Sequence, residues 1–351
     1  MRSSWLLSLG LILASACGTQ FHRPTLSSDY FLALTNSGIE VFELDVAGIT
    51  LVKKGSIAVE NAGTLNTVMA VGTPSRLLLG KQELTWSSFQ PLSPSMTALT
   101  TLNLALSPSA LFYQPDRNLL FVTIAGTTDT IQVISVEGDS LRSLGSFSPG
   151  DNPRSVVAMS GSDFIYTSVG NSKTLKGYRI DGASGAGVAV DSKTITGTPG
   201  FLRIGVDDHV LITHASTPHE LLAYSIEANS GAFSLADSVS LSAAPVAIDY
   251  HAATRRVAVQ ALSGEIQLYR FNATTRRLEL VGSDHSTSGY VAFKDNMLAF
   301  DASGSYLAAY EQVSRELVVF RVIDTGLAPV LRQAADSGIT GISFTRFLSD
   351  I

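Results

Sequence analysis

Ile131-Gln132-Val133-Ile134-Ser135-Val136 decides the fold, because the chain keeps repeating it. The pattern is apolar, any, apolar or small, aromatic or Ile, any, apolar. It recurs as Ile39-Glu40-Val41-Phe42-Glu43-Leu44, Leu175-Lys176-Gly177-Tyr178-Arg179-Ile180 and Leu221-Leu222-Ala223-Tyr224-Ser225-Ile226. Two more copies are Ile266-Gln267-Leu268-Tyr269-Arg270-Phe271 and Leu317-Val318-Val319-Phe320-Arg321-Val322. The fourth positions fall at 42, 134, 178, 224, 269 and 320, in steps of 92, 44, 46, 45 and 51. The first step is two periods, so another copy is expected near residue 88, where Leu84-Thr85-Trp86-Ser87-Ser88-Phe89 is a weaker match. Seven units result. Strand-built repeats of about 40–50 residues are the signature of β-propeller blades.

Outward from each marker the order is constant. An apolar strand precedes it, as in Leu119-Leu120-Phe121-Val122-Thr123-Ile124. A turn such as Asn229-Ser230-Gly231 and another strand follow it. Such spacing reads as antiparallel meanders. The expected fold is all-β: a seven-bladed β-propeller of four-stranded antiparallel blades. The expected blades are 29–60 with 340–347, 65–104, 108–148, 153–197, 200–242, 245–284 and 289–337. The first unit lacks an inner strand, and Gly341-Ile342-Ser343-Phe344-Thr345-Arg346-Phe347 near the C-terminus lacks a partner. Pairing them closes the ring and covers edges that would otherwise invite aggregation.

Composition agrees with many short strands and turns. Charged residues make up 15% of the 351 residues, against about 25% in ordinary globular chains. A net charge of −6 supplies no basic stripe for phosphates, so nucleic acid is excluded as a partner. The single cysteine, Cys17, rules out an intrachain disulfide and a cysteine-rich zinc site.

Arg2, the apolar run Trp5 to Leu13, and Ala14-Ser15-Ala16-Cys17 form a short export signal. The run is too short to span a bilayer. The last four residues resemble the bacterial lipobox, with Ala14 where that motif prefers Leu. The resemblance implies lipidation at Cys17 and a membrane-anchored, exported lipoprotein. With Gly18 next, it implies the outer membrane, facing the periplasm or the cell surface. The expected organisation is a signal peptide at 1–17, a tether at 18–28 and one propeller domain at 29–351.

Phe112-Tyr113-Gln114-Pro115-Asp116-Arg117-Asn118-Leu119-Leu120-Phe121-Val122 resembles the inner-strand and turn signature of lactonase-type, 6-phosphogluconolactonase-like propellers. Asn152-Pro153-Arg154-Ser155, followed by Phe164-Ile165-Tyr166, is similar to another of their blades, and Gly341-Ile342-Ser343-Phe344 to their closing strand. The family commonly has His after Pro-Arg, where this chain has Ser155. It often has Asn-Glu where this chain has Val169-Gly170. Arg154 is retained.

Propellers bind ligands where loops enter the inner strand and join the second and third strands. That mouth is expected to gather Arg154, Arg203, His219, Glu220, Glu265, His285, Arg315 and Glu316, as a polar funnel for an anionic or sugar-like ligand. His209 and His214 flank a short strand and are not expected to converge on a metal. Gly182 to Gly187 reads as a hairpin and not a phosphate loop. No complete catalytic set emerges, and no cofactor or metal is expected. The residues alone favour a monomeric envelope scaffold that binds another envelope protein or a sugar-like ligand. The alternative, implied by the resemblance, is a hydrolase of a sugar lactone such as 6-phosphogluconolactone.

Overall fold

A computed structural model describes residues 29–35, 37–45, 49–59, 67–71, 76–90, 93–205, 209–284, 297–301, 303–311, 313–334 and 339–346. Among the described residues, twenty-eight strands form seven four-stranded antiparallel sheets. Blade one holds β1 (Asp29–Thr35), β2 (Gly38–Asp45) and β3 (Thr50–Ala58). Blade two holds β4 (Thr67–Val71), β5 (Arg76–Gly80), β6 (Glu83–Gln90) and β7 (Ser95–Asn103). Blade three holds β8 (Ala110–Gln114), β9 (Leu119–Ile124), β10 (Thr130–Glu137) and β11 (Ser140–Phe147). Blade four holds β12 (Pro153–Ala158), β13 (Phe164–Val169), β14 (Thr174–Ile180) and β15 (Gly187–Thr194). Blade five holds β16 (Thr198–Gly205), β17 (Val210–Ser216), β18 (Glu220–Ile226) and β19 (Phe233–Ser240). Blade six holds β20 (Pro245–His251), β21 (Arg256–Ala261), β22 (Ile266–Asn272) and β23 (Arg277–Asp284). Blade seven holds β24 (Leu298–Phe300), β25 (Tyr306–Glu311), β26 (Glu316–Ile323) and β27 (Gly326–Ala334).

The last strand, β28 (Ile339–Arg346), pairs antiparallel with β1 as the inner strand of blade one, with Phe31 opposite Phe344. Inner strands of successive blades touch in the cyclic order β28, β4, β8, β12, β16, β20, β24 and back to β28. The ring is closed by its C-terminal strand, as the sequence implied.

Each marker segment lies in the third strand of its blade, and the segment before it forms the second. Both strands are packed on two faces by neighbouring blades, so they read as nearly continuous apolar runs. All six residues of β9, β13 and β25 are buried. Six apolar clusters lie between adjacent blades, the largest spanning blades six, seven and one.

A β-bulge sits opposite the third and fourth marker positions in every blade. The extra residue is apolar in six of the seven, for example Leu144, Val190 and Val281, and is Lys54 in blade one. A bulge sharpens the local twist of a sheet, which a blade requires. Next to the bulge, blades seal to one another in two ways. In blades four and five Asp191 and Asp237 accept from the backbone N–H of Phe233 and Leu278 in the following blade, at 2.9 and 2.7 Å. In blades three and six the same position is Gly145 or Gly282. A Cβ there would collide with the carbonyl of Ser184 or Thr325 in the next hairpin.

Candidate channel site

Blades three, four and five shape the channel wall. Ser155 and Arg154 open β12 beside a bulge, since Pro153 pairs with Val169 and Ser155 with Ser168. The same irregularity recurs in β16, where Pro199 pairs with Ala215 and Leu202 with Thr213. The residue of blade five in register with Arg154 is therefore Gly200, and Arg203 is in register with Val157. Arg203 lies further along its strand than the loop mouth. Its expected place among the mouth loops is corrected: it stands four residues after Pro199, whereas Arg154 directly follows Pro153, and both strands carry the same bulge.

Arg154 is partly buried and lies across the backbone of Gly170, where a Cβ would come within 2.6 Å of Nε. Among the described residues it has no hydrogen bond or ion pair. Burial lowers its pKa from the usual arginine value. Around it the loops are polar and ordered by short contacts. Asp129 Oδ1 accepts from the N–H groups of Gly126 and Asn152, each at 3.1 Å. Asn152 Nδ2 donates to Asn171 Oδ1 at 3.4 Å, and the Gly170 N–H donates to the Asn152 carbonyl at 2.9 Å.

His214 on β17 is 3% exposed. Its ring fills the space over Gly200, where no Cβ could stand, and Nε2 accepts from the Phe201 N–H at 3.3 Å. Burial, with the positive charges of Arg203 and Arg154 nearby, pushes its pKa down to about 3. The imidazole is neutral at any ordinary pH. The sequence set His214 aside as half of a non-converging pair; among the described residues no group of three or more His, Cys, Asp or Glu is placed to hold a metal ion. Its position behind the two arginines had no sequence signal, because Gly200 reaches it only through strand pairing.

Beyond this mouth a cavity of about 360 Å³ runs along β8, β12 and β16. Its wall extends from Ala110, Ser155 and Leu202 toward Asp116 and Ser160 at the far ends of the inner strands. Arg203 belongs to that wall. Its Nε pairs with Asp249 Oδ1 of β20 at 3.0 Å, and NH1 donates to the Leu202 carbonyl at 2.9 Å. Asp249 Oδ2 in turn accepts from the Phe300 N–H of β24 at 2.8 Å. Ser155 Oγ accepts from the Leu202 N–H at 3.1 Å. These links tie the inner strands of blades four to seven into a polar girdle.

The other expected site residues are held largely by their own blades. His219 Nδ1 accepts from the Thr217 N–H at 3.4 Å, and Glu220 accepts from Ser238 at 3.3 Å. Glu265 is buried and accepts from Ser242 and Gln267. Glu316 pairs with Arg332 at 3.2 Å, and Arg332 also pairs with buried Glu311 at 2.9 Å. Arg315 is exposed. His285 lies outside the described residues, as do Cys17 and the tether.

The fold that this geometry defines is a seven-bladed β-propeller. No protein-family model and no curated protein matches the sequence. Among solved structures, the chain is similar to a periplasmic gluconolactonase from Pseudomonas aeruginosa. The two share 16% identity over 91% of this chain and 99% of that one, with a TM-score of 0.74. It is similar to a protein of Bacteroides uniformis provisionally named a 6-phosphogluconolactonase, at 13% identity over 91% and 100% of the two chains and a TM-score of 0.77. A hydrazine synthase from Kuenenia stuttgartiensis aligns less well, at 13% identity over 82% and 96% and a TM-score of 0.62. Identities this low establish the fold and leave chemistry to the site.

Proposed function

We propose that the chain is a lactone hydrolase that binds a sugar-derived lactone at the blade-four mouth of the channel. The observation that carries this is Arg154, a partly buried guanidinium with no partner among the described residues, set among polar loops. A desolvated cation without a counter-charge favours an anion or a developing oxyanion. In the proposed step water adds to the lactone carbonyl, and Arg154 stabilises the oxyanion of the tetrahedral intermediate. The bond from the carbonyl carbon to the ring oxygen then breaks. Of the two protons of the attacking water, one ends on the ring oxygen and the other leaves to solvent, and the product is a hydroxy acid whose carboxylate faces the same guanidinium. The gluconolactonase and the provisionally named 6-phosphogluconolactonase among the similar structures support this reading over the envelope scaffold that the residues alone favoured.

The test is turnover of δ-gluconolactone and 6-phosphogluconolactone, with Arg154→Ala as the control. Hydrolysis above the buffer rate that Arg154→Ala removes is the expected result. A rate equal to buffer hydrolysis for both lactones overturns the reading. Anchoring through Cys17 is proposed on the sequence alone. Incorporation of a labelled fatty acid that Cys17→Ser abolishes is its check.

A further inference from the structure

The cavity along β8, β12 and β16 has a different chemistry from the mouth. Its wall contains five polar residues, Gln114, Asp116, Ser155, Ser160 and Arg203. Four of them are already engaged within the protein. Ser155 Oγ receives the Leu202 N–H, and Asp116 Oδ2 receives the Gly161 N–H at 2.6 Å. Arg203 is matched in charge by Asp249. Gln114, 1% exposed, donates Nε2 to the carbonyls of Met159 at 2.9 Å and Ser162 at 3.0 Å. These two bonds fix the amide orientation, so its other atom, Oε1, is an acceptor. That oxygen is buried and receives nothing among the described residues. The rest of the wall is apolar, including Leu111, Phe112, Pro115, Val156, Leu202 and Ile204. A polyol entering here would lose its water and find few partners. An apolar body would lose nothing comparable.

We propose that this cavity is a separate binding site for a compact, largely apolar molecule with one hydrogen-bond donor, which Gln114 Oε1 accepts. Its volume of about 360 Å³ lies at the lower end of the range for small-molecule sites, enough for two fused rings. One donor satisfies Gln114 Oε1, the buried side-chain acceptor of the wall that has no partner among the described residues. Further polar groups on the ligand would be left unpaired and are selected against.

Fluorescence titration of the full chain with 2-naphthol, and with 2-methoxynaphthalene as the analogue without a donor, tests the site. The expected result is saturable binding of 2-naphthol and about tenfold weaker binding of the methoxy analogue, the effect of one hydrogen bond. Ile204→Asp is expected to abolish 2-naphthol binding, and Phe112→Ala to weaken it. Gln114→Met is expected to erase the difference between the two probes. Thermal melting of each variant separates a lost site from a lost fold. Equal affinity of the wild-type chain for both probes overturns the proposal. So does 2-naphthol binding that folded Ile204→Asp and Phe112→Ala both leave unchanged. Displacement of 2-naphthol by δ-gluconolactone overturns the separateness of the cavity from the lactone mouth. Absence of lactone turnover with intact 2-naphthol binding overturns only the hydrolase reading.

Discussion

Arg154 and Ser155 are consecutive residues, yet they face two regions of opposite character. At the mouth, Arg154 has no ion-pair partner among the described residues and lies over Gly170 beside Asn152. In the cavity, the polar side chains are bound to neighbouring blades, and apolar surface remains. The difference shows that a count of polar residues does not describe a site. What matters is which polar groups the fold leaves unpaired. Burial of a paired group such as Arg203 with Asp249 serves the ring, whereas partial burial of one without a partner among the described residues, such as Arg154, is a cost that the proposed ligand would offset.

The largest expected effect lies at the mouth. Removing an oxyanion-stabilising group typically costs 10²–10³ in rate, so Arg154→Ala should lower lactone kcat by about a hundredfold. The same variant should leave 2-naphthol affinity within about twofold. A parallel loss of both would merge the two regions into one. Next comes Asp249→Ala. It removes the partner of Arg203 and the acceptor of the Phe300 N–H, so chemical denaturation should show a loss of about 2 kcal/mol. Lactone kcat should be retained if the girdle is structural.

A smaller effect should follow from Gly170→Ala. A Cβ there would stand 2.6 Å from Arg154 Nε and must displace the side chain. Lactone turnover should fall by about tenfold, consistent with the sensitivity of catalysis to misplaced groups. Melting temperature should stay near that of the wild type, and an unchanged rate would place Arg154 outside the chemistry. The smallest effect concerns His214. Its folded pKa of about 3 lies below the unfolded value of 6.5, so only the unfolded state takes up its proton between those limits. Its contribution is complete above pH 6.5 and is lost as pH falls toward 3. Between pH 6.5 and 5.5 the wild type should lose about 1 kcal/mol more stability than His214→Gln. Equal pH slopes would show that the imidazole is hydrated in the folded state.

Much of the ring could be read without coordinates. The marker copies lie in the third strands, and the assigned blade four, 153–197, contains β12 to β15 from Pro153 to Thr194. Even the weak copy in blade two is genuine. Ser87 stands where other blades carry an aromatic residue or Ile, and its own bulge places it in the same register. Much less of the site was visible. Arg154 and Arg203 were both expected at the mouth of the channel. Arg154 directly follows Pro153 whereas Arg203 stands four residues after Pro199, and because the same bulge opens both strands that spacing puts them at different heights on the channel wall. Gly170 was noted only as a departure from a family pattern. Its reason is the arginine lying across it, which no neighbour in sequence reveals.

The sequence by itself determined the ring: a strand buried on both faces needs an unbroken apolar run, and that requirement is written locally, once per blade. Only the tertiary structure decided which polar groups are spent on holding blades together and which remain for a ligand. Partners such as Ser155 with Leu202, or Asp249 with Arg203 and Phe300, are joined across blades. Hydrogen bonds act only at contact distance, so the register of several strands has to be set before any of those pairs exists.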